Sequence, residues 1–266
     1  MKESHKVTIA LSIAGFFIIV AWKNIYSGSC SVLAFPLVIM TVIGISIMEL
    51  SVKKRECLAR SYFVEGSFPY RLINSKKLIF IKSFSLSVLL GTSLVIASVT
   101  WDFKTFTVLF VDIFLLYWIY AKTLGVLMGN IKEPVKFVIA KDISVSVNSF
   151  ILMALLLLIQ FYTPIPSYSD ASLKTTLSSA FAVFSSECSI TNFLLKVNVQ
   201  KDAFSWWAML SVNSHIHDQN LKLIAWLAFL LSNGLAAYAF SRYMMQLIDL
   251  LRMFGRKNEE EQKNER

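Results

Sequence analysis

The sequence predicts an all-α fold, a polytopic bundle of six transmembrane helices with both termini in the cytoplasm. Hydrophobic residues make up 56% of the 266 residues, and the mean hydropathy is +0.60, which is more apolar surface than a soluble core of this size can bury. Several apolar runs approach the roughly 20 residues that an α-helix needs to cross a bilayer core about 30 Å thick. The period-two alternation typical of a membrane β-barrel is not visible in the sequence.

The distribution of basic residues predicts the orientation of these helices. If six spans start and end on the same side of the membrane, 20 of the 26 Lys and Arg residues fall on that side. The other six are Lys23, Lys104, Lys174, Lys196, Lys201 and Lys222. Because positively charged loops are retained in the cytoplasm during insertion, both termini are expected inside, in a multi-pass protein of the inner (cytoplasmic) membrane.

The first half of the chain contains four predicted spans. Residues 7–22 and 32–50 form a helical hairpin with a short outer turn between them. Residues 51–77 follow as an inner loop that is too charged to enter hydrocarbon, because it holds Lys53, Lys54, Arg55, Arg60, Arg71, Lys76 and Lys77. Residues 78–100 and 106–125 form the third and fourth spans, and the aromatic and charged residues that join them suit the outer headgroup layer.

The second half contains two more predicted spans, separated by a long outer segment. An inner loop with Lys132, Lys136 and Lys141 leads to the fifth span, residues 143–162, and residues 221–247 form the last span. Residues 1–250 are therefore expected to be one transmembrane domain, and the polar residues 251–266 a cytoplasmic tail. In the outer loop, residues 163–220, the apolar stretches 177–184 and 190–195 are too short to cross, so we expect short re-entrant or interfacial helices.

The three cysteines divide between the two sides of the membrane in this topology. Cys30 and Cys188 lie outside and Cys57 lies inside. A disulfide between Cys30 and Cys188 is allowed in an oxidising compartment. Two unpaired cysteines at a wet interface are an equal alternative, because the sequence does not supply the distance that a disulfide requires.

Polar residues inside the predicted spans are candidates for a substrate path, because an ionisable group in hydrocarbon normally faces protein or water. Asp112 lies in the fourth span, Asn148 in the fifth and Asn233 in the last. The alternative is that these side chains form hydrogen bonds between helices, with Asp112 protonated or partly hydrated. Arg242 is expected to extend its charge toward the inner surface.

Other function classes receive little support from the residues. The net charge of +9 is explained by topology and by anionic lipid headgroups, so no nucleic-acid partner is expected. The segment His215-Ile-His217-Asp218 has too few ligands for a zinc site, and no metal is expected. No enzyme activity is expected, because neither Gly-x-Ser-x-Gly nor His-Glu-x-x-His occurs in the chain.

Residues 49–77 carry a pattern found in one family of transport proteins. It consists of Glu49 at the end of the second span, then Gly66, Pro69 with Arg71 close by, and a Lys that opens the third span. In this pattern the chain resembles the permease subunits of type-2 ATP-binding-cassette (ABC) transporters. It is also similar to them in layout, since six spans start and end inside, a charged inner loop joins the second and third, and outer helices separate the fifth and sixth.

The resemblance implies a transport subunit that depends on other polypeptides. The chain has no Gly-x-x-x-x-Gly-Lys-Ser/Thr loop to hold nucleotide phosphates, so ATP is expected on a separate ABC ATPase subunit and no cofactor on this chain. The inner loop would dock on that ATPase as a coupling helix. The contact residues implied by the resemblance are Arg60, Glu65, Arg71 and Lys77.

The resemblance further implies that a second permease, a copy or a paralogue, pairs with this chain among the membrane lipids as a homo- or heterodimer. Ala228, Ser232 and Ala236 recur every four residues and would allow two helices to approach closely, although packing within one chain explains this stripe equally well. The expected function is export of a hydrophobic or amphiphilic substrate. The alternative is a non-transporting multipass scaffold, immunity or exclusion protein whose outer loop recognises another molecule.

Overall fold

A computed structural model describes residues 2–64, 67–73, 75–129, 135–162, 173–183, 186–215, 219–220 and 234–250. The ordered elements in these ranges are helical. They are α1 (Lys2–Ile25), α2 (Ala34–Tyr62), α3 (Phe68–Ile73), α4 (Lys76–Thr100), α5 (Phe103–Leu127), α6 (Val135–Tyr162), α7 (Leu173–Val183) and α8 (Ser189–His215). Residues 234–250 form a further helix, α9, and a short 3₁₀ helix (Cys30–Leu33) leads into α2.

Four stretches of the described chain are long and apolar enough to cross a membrane. They are Cys30–Glu56, Lys76–Thr100, Phe103–Leu127 and Val135–Ile159. They contain the second, third and fourth predicted spans and most of the fifth. The prediction of an all-α, multi-pass membrane protein is therefore confirmed. The first predicted span lies in α1, where Ala10–Ile25 is a shorter apolar helix. Of the last predicted span, residues 221–233 lie outside the described residues and residues 234–247 lie in α9.

The helices pack around one main apolar core. α2 lies against α4, α5 against α6, and α7 against α8. Fully buried side chains of the core include Ile19 of α1, Leu94 of α4, Leu116 of α5 and Phe240 of α9. The indole Nε1 of Trp22 donates to the Val95 carbonyl oxygen at 2.9 Å, and this bond joins α1 to α4.

Close approach of α2 and α4 depends on two glycines. A Cβ atom on Gly91 would collide with the Met40 side chain, and one on Gly44 would lie 3.0 Å from the Ser87 hydroxyl oxygen. The Ser87 hydroxyl donates to the Met40 backbone carbonyl. Small residues therefore bring the two backbones together, as they do between other membrane helices.

Helix α5 begins at a capped and charged turn. The Asp102 carboxylate accepts hydrogen bonds from the Thr105 backbone N–H at 2.8 Å and from the Thr105 hydroxyl at 2.6 Å. Burial opposes ionisation of Asp102, but these hydrogen bonds outweigh it and hold the pKa of Asp102 below its ordinary value. An ionised aspartate at a helix N-cap stabilises the free N–H groups and the helix dipole.

The two segments that the charge pattern assigns to the inner side are more helical than this pattern predicts, and the two ends of the bundle are called inner and outer after that assignment. α2 continues to Tyr62 through the first part of the predicted loop 51–77, and α6 begins at Val135, so that Lys136 and Lys141 lie in a helix instead of a loop. Lys, Arg and Glu favour helices as strongly as Leu does. A run of charged residues can therefore leave the hydrocarbon without ending the helix.

The outer segment forms a hairpin of α7 and α8. α8 has 27 residues and is much longer than the apolar stretch 190–195 from which it was predicted, because its polar residues continue the helix. Leu195, Val199 and Ala203 recur every four residues of α8 and are buried, and the last two form a small core with Ala180 of α7. The two helices thus cover part of each other's apolar faces, and Leu195 packs in the main core.

A covalent link fixes this hairpin to the turn between α1 and α2. Cys30 and Cys188 form a disulfide with a Cα–Cα distance of 4.8 Å. Next to it, the Ser186 hydroxyl donates to the Tyr26 carbonyl at 2.8 Å, and the Glu187 N–H donates to the Ser27 carbonyl at 3.0 Å. The structure therefore selects the disulfide from the two alternatives that the sequence leaves open.

We expect Cys30→Ser to lower the stability of the purified protein, because the disulfide closes a loop between residues 158 positions apart. A decrease of about 3 kcal/mol in the free energy of unfolding lowers the melting temperature by roughly 6–12 °C. Thermal unfolding in detergent measures the effect, with Cys57→Ser as the control that should melt as wild type. Maleimide should label one thiol per denatured wild-type chain before reduction and three afterwards. Three labelled thiols without reduction would contradict the disulfide.

Candidate functional site

Polar side chains from α5, α6 and α9 meet inside the bundle. The Asn148 amide donates to the Asp112 carboxylate at 2.8 Å and to the Ser241 hydroxyl at 3.0 Å. Asp112 and Asn148 are 1% and 0% exposed, so in this conformation they contact neighbouring helices. This is the interhelical hydrogen bonding that the sequence offers as the alternative to a substrate path.

A larger group of charges lies nearer the inner end of α6, and Lys141 is at its centre. The Lys141 ammonium lies 2.9 Å from the Asp249 carboxylate of α9 and 3.1 Å from the Glu49 carboxylate of α2. It also donates to the Gln246 side-chain oxygen. Only 5% of the Lys141 side chain is exposed. A buried ammonium requires such partners, because removal from water costs several kcal/mol.

Asp142, the next residue of α6, contacts the same two helices, but it is an anion and pairs with their cations. Its carboxylate lies 2.6 Å from the Lys54 ammonium of α2 and 3.0 Å from the Arg242 guanidinium of α9. Arg242 also donates to the Tyr238 hydroxyl, and only 3% of its side chain is exposed. The expectation that Arg242 extends to the inner surface is therefore wrong, because Asp142 holds it inside the bundle.

We call these residues the inner ion cluster. Its members are Glu49, Lys53, Lys54, Lys141, Asp142, Arg242, Gln246 and Asp249, and Lys53 belongs through its 3.3 Å pair with Glu49. The cluster holds four cations and three carboxylates. Buried charges require nearly equal numbers of cations and anions. The cluster as a whole connects α2, α6 and α9.

Helix geometry explains how this cluster forms. Arg242, Gln246 and Asp249 follow one another at i, i+4 and i+7, so they share one face of α9. Adjacent residues of a helix point about 100° apart. Lys141 and Asp142 can therefore reach different partners on the same two neighbouring helices. If these helices separated, the charges would become exposed to solvent. The cluster can thus act as a contact that excludes water when the helices are together and is hydrated when they are apart.

Two of the implied ATPase-contact residues, Arg71 and Lys77, can be placed in the structure, and neither belongs to the cluster. Arg71 is exposed on α3, and Lys77 is exposed in the first turn of α4. Arg60 belongs to α2, and its side chain lies outside the described residues, as do Glu65, Asn233, Ala228 and Ser232. Ala236 is buried, so the described part of the small-residue stripe packs inside this chain.

Sequence reasoning missed most of the inner ion cluster. It assigned Lys141 to a loop, used Glu49 only as part of the family pattern, and gave no role to Asp142, Gln246 or Asp249. One signal was present, namely that Arg242, Gln246 and Asp249 are spaced by four and three residues in α9, whose other residues are mostly apolar. The partners lie 88 to 108 residues apart in sequence, and no local pattern reveals such pairing.

No protein-family model, no curated protein and no solved structure matches the chain. Within the described ranges, no three His, Cys, Asp or Glu side chains are grouped as a metal site requires. The described architecture is that of a multi-pass helical membrane protein. A more specific function has to be inferred from the residues of this chain.

We expect Lys141→Met to destabilise the folded protein by about 3–5 kcal/mol, because it leaves the Asp249 and Glu49 carboxylates without their buried cation. The matched control is Lys53→Met, which removes a more exposed partner of the same Glu49 and should cost at most about 0.5 kcal/mol. Reversible unfolding in mixed micelles measures both. Equal effects of the two substitutions would show that burial of Lys141 has no energetic consequence.

Proposed function

We propose that the chain is the membrane-spanning permease subunit of an ABC-type exporter, and that it moves a hydrophobic or amphiphilic substrate with energy from ATP hydrolysed by a separate ATPase subunit. The observation that carries this proposal is α3, a helix of six residues placed between the inner ends of α2 and α4. A short helix at this point is what a coupling contact with a cytoplasmic motor requires.

The residues of α3 suit a contact surface. The Ser67 hydroxyl accepts from the Tyr70 N–H at 3.4 Å, and the Ser67 carbonyl accepts from the Arg71 N–H at 3.0 Å, so Ser67 caps the helix. Phe68 is 79% exposed. Helices of this length are not stable alone, so the neighbouring long helices hold α3 in place. An exposed aromatic residue beside an exposed Arg71 is typical of a binding surface.

The inner ion cluster offers a route by which α3 could move the spans. α2 leads toward α3, and on α2 the cluster residues Glu49 and Lys54 bind Lys141 and Asp142 of α6. Movement of α3 would therefore move α2. Either α2 would shift against α6 and α9, or α2, α6 and α9 would move together. Helices that move as rigid bodies around such contacts are a common form of switching.

The predicted substrate-path residues fit this proposal only in another conformation. Asp112, Asn148 and Ser241 are buried against one another, and α5, α6 and α9 would have to separate before a substrate could reach them. A second permease, as copy or paralogue, belongs to the proposal through the family resemblance. Membrane lipid surrounds both.

A second candidate function is a non-transporting membrane protein, such as a scaffold, immunity or exclusion protein. The outer hairpin favours it, because α7 and α8 cover each other and the disulfide fixes their junction to the α1–α2 turn. A hairpin held at its junction in this way is suited to recognition of another protein. This candidate requires no ATPase at α3.

We expect one ABC ATPase to co-purify with the full-length chain, and the double variant Arg71→Glu/Lys77→Glu to reduce its recovery at least about tenfold, since charge reversal at a contact costs more than 1.4 kcal/mol. Affinity capture with candidate ATPases in detergent measures this. Lys104→Glu, an exposed reversal at the opposite end of the bundle, is the matched control and should retain the partner.

Two results would argue against the proposal. Equal recovery with the double variant would show that α3 and the start of α4 are not the coupling contact. If wild type captures none of the candidate ATPases and binds a partner through α7 and α8 instead, the non-transporting candidate becomes the better account.

A further inference from the structure

We propose that a groove between α2 and α4 binds an acyl chain of an anionic membrane phospholipid, whose phosphate lies at Lys76. This inference does not depend on transport, because it concerns the lateral surface of the bundle and needs no ATPase. It rests on the shape of the groove, on one buried hydroxyl in its wall and on the position of a cation at its inner end.

The groove has the size of one lipid chain. It encloses a cavity of about 290 Å³ lined by Leu37, Ile45 and Met48 of α2 and by Phe80, Phe84 and Val88 of α4. Leu37 and Met48 are 11 residues apart, which is about 16 Å along a helix. This length is close to the hydrocarbon thickness of one leaflet, about 15 Å.

The groove continues toward the outer end of the bundle. A second apolar cavity of about 200 Å³ shares Leu37 and Met40 with the first and extends to Leu33 and to Ile190 of α8. Several residues at the mouth of the groove, including Leu37, Phe80 and Phe84, are largely exposed. A chain that diffuses in the membrane can therefore enter from the side.

The wall of the groove carries hydroxyl groups on α4, which packs against α2. Gly44, Ser83 and Ser87 line the cavity. Ser87 is bonded to the Met40 carbonyl, whereas Ser83 is buried and its hydroxyl oxygen has no partner within the described part of the chain. A buried hydroxyl without a partner is uncommon. The ester carbonyl of a phospholipid would supply the acceptor that Ser83 lacks.

The positive charge at the inner end of the groove favours a lipid with an anionic headgroup. Lys76 precedes Phe80 by four residues and Ser83 by seven, so these side chains share one face of α4. Lys76 is exposed, and no acidic side chain of the described residues pairs with it. A Lys at the membrane surface attracts anionic lipid. The exposed neighbour Lys77 adds a second positive charge.

The test is retention of lipid by the full-length protein. We would purify the chain from nanodiscs containing phosphatidylglycerol and phosphatidylethanolamine and count bound lipid by native mass spectrometry. Wild type should retain one phosphatidylglycerol in preference to phosphatidylethanolamine. Ile45→Trp, which fills the groove, and Lys76→Glu, which reverses the charge, should each reduce this retention at least about tenfold, a change of 1.4 kcal/mol.

Matched controls separate the groove from the rest of the lipid-facing surface. Val111 is an exposed apolar residue of α5 that lines neither cavity, and Val111→Trp should retain lipid as wild type does. Lys104→Glu reverses an exposed charge at the other end of the bundle and should also have no effect. Thermal unfolding of every variant shows whether a loss of lipid reflects a loss of fold, and Lys76→Glu is an exposed change that should leave folding intact.

Two results would overturn the proposal. The first is wild type without preferential retention of phosphatidylglycerol. The second is Ile45→Trp with lipid retention equal to wild type. If light scattering then shows that Ile45→Trp converts a wild-type dimer to a monomer, a second copy of the chain occupies the groove.

Discussion

The structure depends on the requirement that charges taken out of water find partners of opposite sign. Lys141 and Asp142 are adjacent on α6, and neither can be buried there unless α2 and α9 bring their own charges to meet it. This requirement sets the rotation of α6 about its axis, because each of the two residues must face both neighbouring helices. It also places Arg242 and Asp249 toward the centre of the bundle instead of toward lipid.

The two ends of the bundle are held by different chemistry. At the outer end, the disulfide between Cys30 and Cys188 and two hydrogen bonds to the α1–α2 turn fix the α7–α8 hairpin. At the inner end, ion pairs hold α2, α6 and α9 together. Water can take the place of a partner in an ion pair, whereas it cannot take the place of a covalent bond. A change of shape is therefore expected at the inner end, where α3 is exposed.

Much of the fold could be predicted from hydropathy and charge, whereas most of the candidate site could not. The second to fifth predicted spans lie within the long apolar helices, because about 20 apolar residues in a row are a strong local signal. The start of α6 was predicted eight residues too late, since Lys136, Lys141 and Asp142 resemble a loop when their partners are unknown. Asp112 and Asn148 were both identified, but only the structure shows that they bind each other.

The most direct test of the inner ion cluster is a double-mutant cycle on Asp142 and Arg242, with Asp142→Asn, Arg242→Gln and the double variant compared by reversible unfolding in mixed micelles. If this pair links α6 to α9, the single substitutions should be coupled by about 1–3 kcal/mol, as residues in direct contact are. Additivity of the two substitutions within about 0.5 kcal/mol would contradict the pairing, and with it the account of how the three helices are held together.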